Sequence, residues 1–124
     1  MLENKSVQVE IINKHNSSPV YLYSHNDAMS MVSTVYEILS MQTRWDDADY
    51  LARMIFCAMI PKDKWHEEKG YAIGTTLYDG IALLVSLNVP KQMIKIQVTN
   101  DLHNYESMSF GDFVNKFYKG ADLQ

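Results

Sequence analysis

Apolar and polar residues alternate along this chain with two different periods. From Lys5 to Asn13, Val7, Val9 and Ile11 alternate with Ser6, Gln8 and Glu10, the period of two expected of a strand with one buried face. Lys14-His15-Asn16-Ser17-Ser18-Pro19 is turn chemistry, so Val20 to Tyr23 returns as a second strand in a hairpin. From about Asp27 to Met41 the spacing lengthens, and Ala28, Met31, Val32, Val35, Ile38 and Leu39 fall on one stripe of a helix. Ser24, His25, Asn26 and Asp27 precede that stripe and offer capping side chains. The opposite face holds Ser30, Ser33, Thr34, Glu37 and Ser40, a single charge among five positions. Such a face suits a helix half covered by another element or by a partner.

A second helix is expected from Asp46 or Asp47 to Met59, with acidic residues at the positive end of its dipole and Pro61 to stop it. Its last half, Met54 to Ile60, is apolar on nearly every side, the mark of a helix buried all round or placed at an interface. Lys62 to Lys69 reads as a charged loop containing Trp65 and His66, and Gly70 resets the backbone. Three strands follow, Tyr71 to Leu77, Ile81 to Asn88 and Gln92 to Val98, with turns at Tyr78-Asp79-Gly80 and Val89-Pro90-Lys91. Asp-Gly before an apolar run signals a hairpin. Ile94, Ile96 and Val98 face away from Met93 and Lys95, and Leu102 to Met108 is a further extended piece. Ser109-Phe110-Gly111-Asp112 resembles a capping box opening a short helix to about Tyr118, with Phe110, Phe113, Val114 and Phe117 on one face. This order predicts one α+β domain over residues 1–124: a mostly antiparallel sheet of about five strands packed against two main helices, with a short C-terminal helix.

Length and charge narrow the function. A chain of 124 residues, 47% hydrophobic and 21% charged, can bury one core without staples. The net charge of -4 disfavours an electrostatic grip on nucleic acid or an anionic membrane, and suits basic partners. The single cysteine, Cys57, lies in an apolar run and reads as a buried thiol in a reducing compartment. Met1 to Lys14 lacks the continuous apolar core of a signal peptide, and no apolar run approaches a membrane span. The expected location is the cytoplasm.

The densest chemistry is the stretch from Arg44 to Phe56, where Arg44, Trp45, Asp46, Asp47, Asp49, Tyr50 and Arg53 stand at the mouth of an apolar helix. Two readings are open. In the structural one, Asp46 or Asp47 caps the helix and Asp49 pairs with Arg53 at i,i+4, for roughly 0.2–0.5 kcal/mol. In the other, this corner is a polar binding site that His25 and Asp27, at the strand-to-helix junction, help to complete, and the Arg44-Trp45 pair stacks on a planar group. The candidate binding residues are therefore His25, Asp27, Arg44, Trp45, Asp46, Asp47, Tyr50 and Arg53. No catalytic residue is assigned. The four histidines lack zinc-site spacing, the aspartates lack the glycine and distal glutamate of a calcium loop, and no metal or cofactor is expected. Gly70-Tyr71-Ala72-Ile73-Gly74 has neither the P-loop lysine nor a dinucleotide pattern and reads as a closely packed strand entry.

Taken together, Val20-Tyr21-Leu22-Tyr23-Ser24-His25, Arg44-Trp45-Asp46-Asp47 with Tyr50 to Phe56, and Gly70-Tyr71-Ala72-Ile73-Gly74 resemble a family of small phage and prophage proteins. The resemblance spans Val20 to Val98 and a closing Ser109-Phe110-Gly111-Asp112-Phe113. The chain departs from the family's pattern at Asn26-Asp27, where tryptophan and glycines are usual, and at Ala72, where the usual residue is glycine. The resemblance implies a phage accessory protein acting in the host cytoplasm. Small acidic phage proteins are often inhibitors of host defence, and one class blocks defence-associated sirtuins that deplete NAD. The leading expectation is thus a non-enzymatic inhibitor that binds a host defence protein stoichiometrically. One rival is a binding protein or hydrolase for a nucleotide-like signal using His25, Arg44 and Asp46. A second rival is a self-associating structural protein, a homo-oligomer.

Overall fold

The computed structural model describes residues 6–14, 18–25, 28–60, 71–99, 101 and 103–121, the side chains of 117–121 excepted. Asn26 and Asp27, the loop from Lys62 to Lys69 and Gly70 lie outside the described residues. The alternation in the first strand, β1 (Val7–Ile12), is realised as expected: Val7, Val9 and Ile11 are buried on one side. It pairs antiparallel with β2 (Val20–Ser24), in register Val9 with Leu22. The stripe read from sequence becomes the buried face of helix α1 (Ala28–Ser40), residue for residue. Its opposite face settles its own hydroxyls: Thr34 Oγ1 donates to the Ser30 carbonyl at 3.0 Å and Ser40 Oγ to that of Glu37 at 2.8 Å, the usual accommodation of such residues in a helix.

Helix α2 (Ala48–Met59) opens on Asp47, whose Oδ1 accepts from the Tyr50 amide at 3.0 Å. It buries Ala48, Leu51, Ala52, Ile55 and Met59. Of the two readings of its last half, burial all round within the chain does not hold. Arg53, Cys57 and Ala58 are exposed, and Met54 and Phe56 are half-buried. Cys57 is therefore a solvent-facing thiol instead of a buried one. The physical reason is helical phase, since two residues past Ile55 is about 200° of rotation, the far side of the helix. Asp49 and Arg53 are both exposed and form no ion pair among the described residues.

The remaining strands are β3 (Tyr71–Gly74), β4 (Leu83–Asn88), β5 (Met93–Val98) and β6 (Tyr105–Ser109), and the sheet order is β3-β2-β1-β4-β5-β6. The sheet thus has six strands instead of about five, and it is mixed: two antiparallel three-stranded halves joined by the parallel pair β1 and β4. This corrects the Asp79-Gly80 hairpin. Gly80 does turn the chain, with φ +82, but β3 and β4 run the same way with two strands between them, and parallel strands need a crossover. Gln8 fixes that crossover. Only 1% exposed, it donates to the Thr76 carbonyl at 2.9 Å and accepts from the Tyr78 amide at 2.8 Å. Gly74 is not closely packed either, because a Cβ there would meet nothing within 4 Å.

Helix α3 (Phe110–Ala121) follows β6 directly and is longer than expected. Ser109 is both the last strand residue and the cap, its Oγ accepting from the Asp112 amide at 3.0 Å. Phe110 and Phe113 are fully buried, and Tyr36 of α1 meets Phe113 edge-on. Helix α1 packs between α2 and α3, with α2 over β1 and β2 and α3 over β5 and β6. All three helices lie on one side of the sheet, against Val7, Val9, Leu22, Val85, Leu87 and Ile94. The result is a two-layer α+β domain with no described helix on the second face of its sheet. No described helix is long and apolar enough to cross a membrane.

Candidate functional site: the open face of the sheet

Side chains alternate across a strand, so the register of a sheet decides which distant residues share a face. On the helix-free face it aligns Tyr21 of β2, Glu10 of β1, Ser86 of β4, Lys95 of β5 and Ser107 of β6 in one transverse row. Glu10 stands near its centre with both oxygens engaged. Oε2 accepts from the Tyr21 hydroxyl and Oε1 from the Ser86 hydroxyl, each at 2.8 Å. A carboxylate has about four lone-pair positions, so it is held in place and keeps acceptor capacity. Burial, the hydrogen bond to Glu10 and the negative charge of that carboxylate push the Tyr21 hydroxyl up to about 12. Tyr21 is thus a proton donor to Glu10 throughout the neutral range.

Beside this row lies a concavity of about 320 Å³, lined by Glu10, Ile12, Ser86, Asn88, Met93 and Lys95 and reaching Ser107. The Lys95 ammonium stands 4.7 Å from the centre of the Tyr105 ring, a cation–π contact at an exposed site. Asn88 is partly committed, its Oδ1 accepting from the Lys91 amide at 3.2 Å. On the other side of Glu10 the crossover after β3 forms a ridge, where Tyr78 packs edge-on against Tyr23 at 5.4 Å. Tyr105 and Tyr78 remain 52% and 44% exposed. The face therefore presents four tyrosines, small hydroxyl and amide side chains, one fixed carboxylate and one ammonium. Such a surface can hydrogen-bond and stack. Among the described residues no group of three or more His, Cys, Asp or Glu side chains could hold a metal.

The corner read from sequence resolves differently. Trp45 points inward: its indole N–H donates to the Leu39 carbonyl at 2.9 Å and its ring meets Phe110 edge-on at 5.7 Å. The same carbonyl accepts from the Gln42 amide at 3.0 Å, so the indole adds a second bond at the end of α1, where helical partners run out. Asp47 is the N-cap of α2. Tyr50 lies under the Arg44 guanidinium, 4.8 Å from its ring centre, and its hydroxyl meets Thr43 Oγ1 at 3.3 Å. Asp46 and Arg53 are exposed. His25 is not brought to this group. It precedes α1 and Arg44 follows it, so the 13 residues of α1 hold them about 20 Å apart along the axis. His25 instead meets the Tyr23 hydroxyl through Nδ1 at 3.2 Å, at the margin of the open face. Asp27 lies outside the described residues.

Sequence reasoning missed Glu10, Tyr21, Ser86, Lys95 and Tyr105 because each is ordinary in its own segment. One signal was available, a glutamate at an outward position of a strand next to a tyrosine-rich strand. Protein-family models, curated proteins and solved structures were all compared with this chain, and none matches.

Proposed function

We propose that this protein acts by binding a protein partner stoichiometrically, without chemistry of its own, through the open face of its sheet. The observation that carries this reading is the make-up of that face: Tyr21, Tyr23, Tyr78 and Tyr105 around Ser86, Asn88, Ser107, Glu10 and Lys95, on a rigid sheet with no described helix over it. Tyrosine supplies large amphipathic contact area at low entropic cost, and small polar residues supply adaptable hydrogen bonds, the combination found in binding loops of antibodies. The net charge of -4 favours a basic partner surface. The resemblance to small phage proteins adds the partner class: a host antiviral defence protein, with an NAD-depleting defence-associated sirtuin as the first candidate, met in the host cytoplasm. An affinity-tagged copy expressed in the bacterial host, read by mass spectrometry and light scattering, tests this. The expected result is a host protein in stoichiometric amount, lost in the double variant Tyr78→Ala/Tyr105→Ala. A partnerless eluate, or capture that survives that variant, overturns it.

The concavity beside Glu10 favours a second reading, a small polar ligand held between the Glu10 carboxylate and the Lys95 ammonium. The ligand site then lies at the sheet and not at His25, Arg44 and Asp46. On this reading Lys95→Ala abolishes small-molecule retention in native mass spectrometry while Arg44→Ala leaves it unchanged.

A further inference from the structure

The pattern of the open face is complementary to itself. Taking β4 as the midline, Glu10 lies one strand to one side and Lys95 one strand to the other, with Ser86 between them in the same row. In the next row Ile12 and Met93 flank Asn88 in the same way. In the row on the other side Tyr23 and Tyr105 stand two strands out, to the left and right of Leu84. A two-fold axis in the plane of contact and parallel to β4 exchanges left with right. It therefore lays Glu10 of each copy over Lys95 of the other, Ile12 over Met93, Leu84 over Leu84, and Tyr23 over Tyr105. An axis across the strands would set Glu10 on Glu10 and Lys95 on Lys95. Charge thus favours the axis along β4 over the axis across the strands.

The crossover is a ridge on one side only, pinned over Gln8 with Tyr78 on Tyr23. The same axis brings this ridge to the opposite side of the facing copy, at Gln97 and the exposed Tyr105. The most exposed tyrosine of one half meets the ridge tyrosine of the other, twice by symmetry. An isologous contact of this kind closes on itself and does not propagate.

We propose that two copies of this chain close their open sheet faces on each other about an axis along β4, with reciprocal Glu10–Lys95 pairs. This rests on the reading of that face as a docking surface. It adds a second copy as occupant in the absence of the partner, so that the partner binds by displacing it. Five strands of five or six residues and the four-residue β3, about 4.8 Å apart, give a footprint of about 430 Å² per copy, the size of a weak, transient contact. The dimer is accordingly reversible and weakened by salt, as exposed charge pairs are.

Sedimentation equilibrium across a concentration series tests it, with circular dichroism on each variant. The wild type dimerises at high concentration. K95E and E10K each set like charges against one another twice and raise the dimer dissociation constant about tenfold or more. An equimolar mixture of K95E and E10K recovers dimer, because each chain then supplies what the other lacks. If E10K does not fold, having lost the Tyr21 and Ser86 bonds, E10Q/K95E is the substitute. It regains part of the dimer that K95E loses, since the repelling pair is gone. A wild type that stays monomeric, a dimer indifferent to K95E, or no rescue from folded variants overturns the proposal. Monomeric wild type that still captures a host protein defeats the dimer and leaves the docking reading standing. A K95E-sensitive dimer that captures nothing defeats the partner reading and leaves the dimer.

Discussion

Arg44 to Tyr50 and the row from Tyr21 to Ser107 both bring together a carboxylate, a cation and a tyrosine. In the first, three of the prominent side chains are spent on the fold: Trp45 on the Leu39 carbonyl, Asp47 on the Tyr50 amide, and Tyr50 beneath Arg44. In the second, the internal bonds fix one group, Glu10, and leave Lys95 and Ser107, with Tyr105 of the neighbouring row, exposed. A dense run of polar and aromatic residues in sequence therefore marked a helix junction. A row assembled from five strands makes the better surface, because a sheet holds side chains in a fixed array without consuming them as caps. The two left-handed residues of the corner, Gln42 at φ 55 and Arg44 at φ 54, belong to the same junction: they turn the chain from α1 into α2.

Breaking the corner should cost stability and spare the surface. Trp45→Ala removes a half-buried indole and its hydrogen bond, and about 3 kcal/mol of stability should be lost in urea unfolding. Residual folded protein should still dimerise. A loss under about 1 kcal/mol would mean that the indole is not a structural pin. Gln8→Leu strips partners from the Thr76 carbonyl and the Tyr78 amide, for about 2 kcal/mol. Faster hydrogen exchange at the Tyr78 amide would locate that loss in the ridge, and unchanged exchange would refute the clamp. Asp47→Ala removes the α2 cap at about 1 kcal/mol, read as a lower unfolding midpoint with partner capture unaltered.

The surface should declare itself in alkali. The Tyr21 hydroxyl is raised from 10.0 to about 12 in the fold, so the unfolded chain releases this proton first as pH rises. Its stabilising contribution is complete below about 10 and is lost between 10 and 12. Urea midpoints followed over that window should fall less steeply in Tyr21→Phe; parallel curves would dissociate Tyr21 from Glu10. Smallest is Gln42→Gly. A left-handed residue with a side chain costs roughly 1–2 kcal/mol, and the extra freedom of unfolded glycine takes back part of that. A net gain of about 0.5 kcal/mol is expected, whereas a loss would show that the Gln42 side chain makes a contact worth more than its strain.

Much of the fold was legible locally. The α1 stripe, the Asp47 cap, the Ser109 cap and the alternation of β1 and β5 follow from period and capping chemistry within one segment, and each stands as expected. The failures share a cause. Tyr78-Asp79-Gly80 does form a turn, but which strand β4 joins depends on β1, far away in sequence, and on the Gln8 clamp. Cys57 was misread because hydrophobic type was weighed above helical phase.

By itself, then, the sequence determined the elements: their periods, their caps and the α+β class, all set by forces acting over one or two turns of chain. The tertiary structure decided what those elements present. Glu10 and Ser86 are 76 residues apart, and their meeting depends on strand order and register, where a slip of one residue sends every side chain to the other face. Local pattern carries no record of that choice, which is made by core packing between distant strands and the helices laid over one side of them.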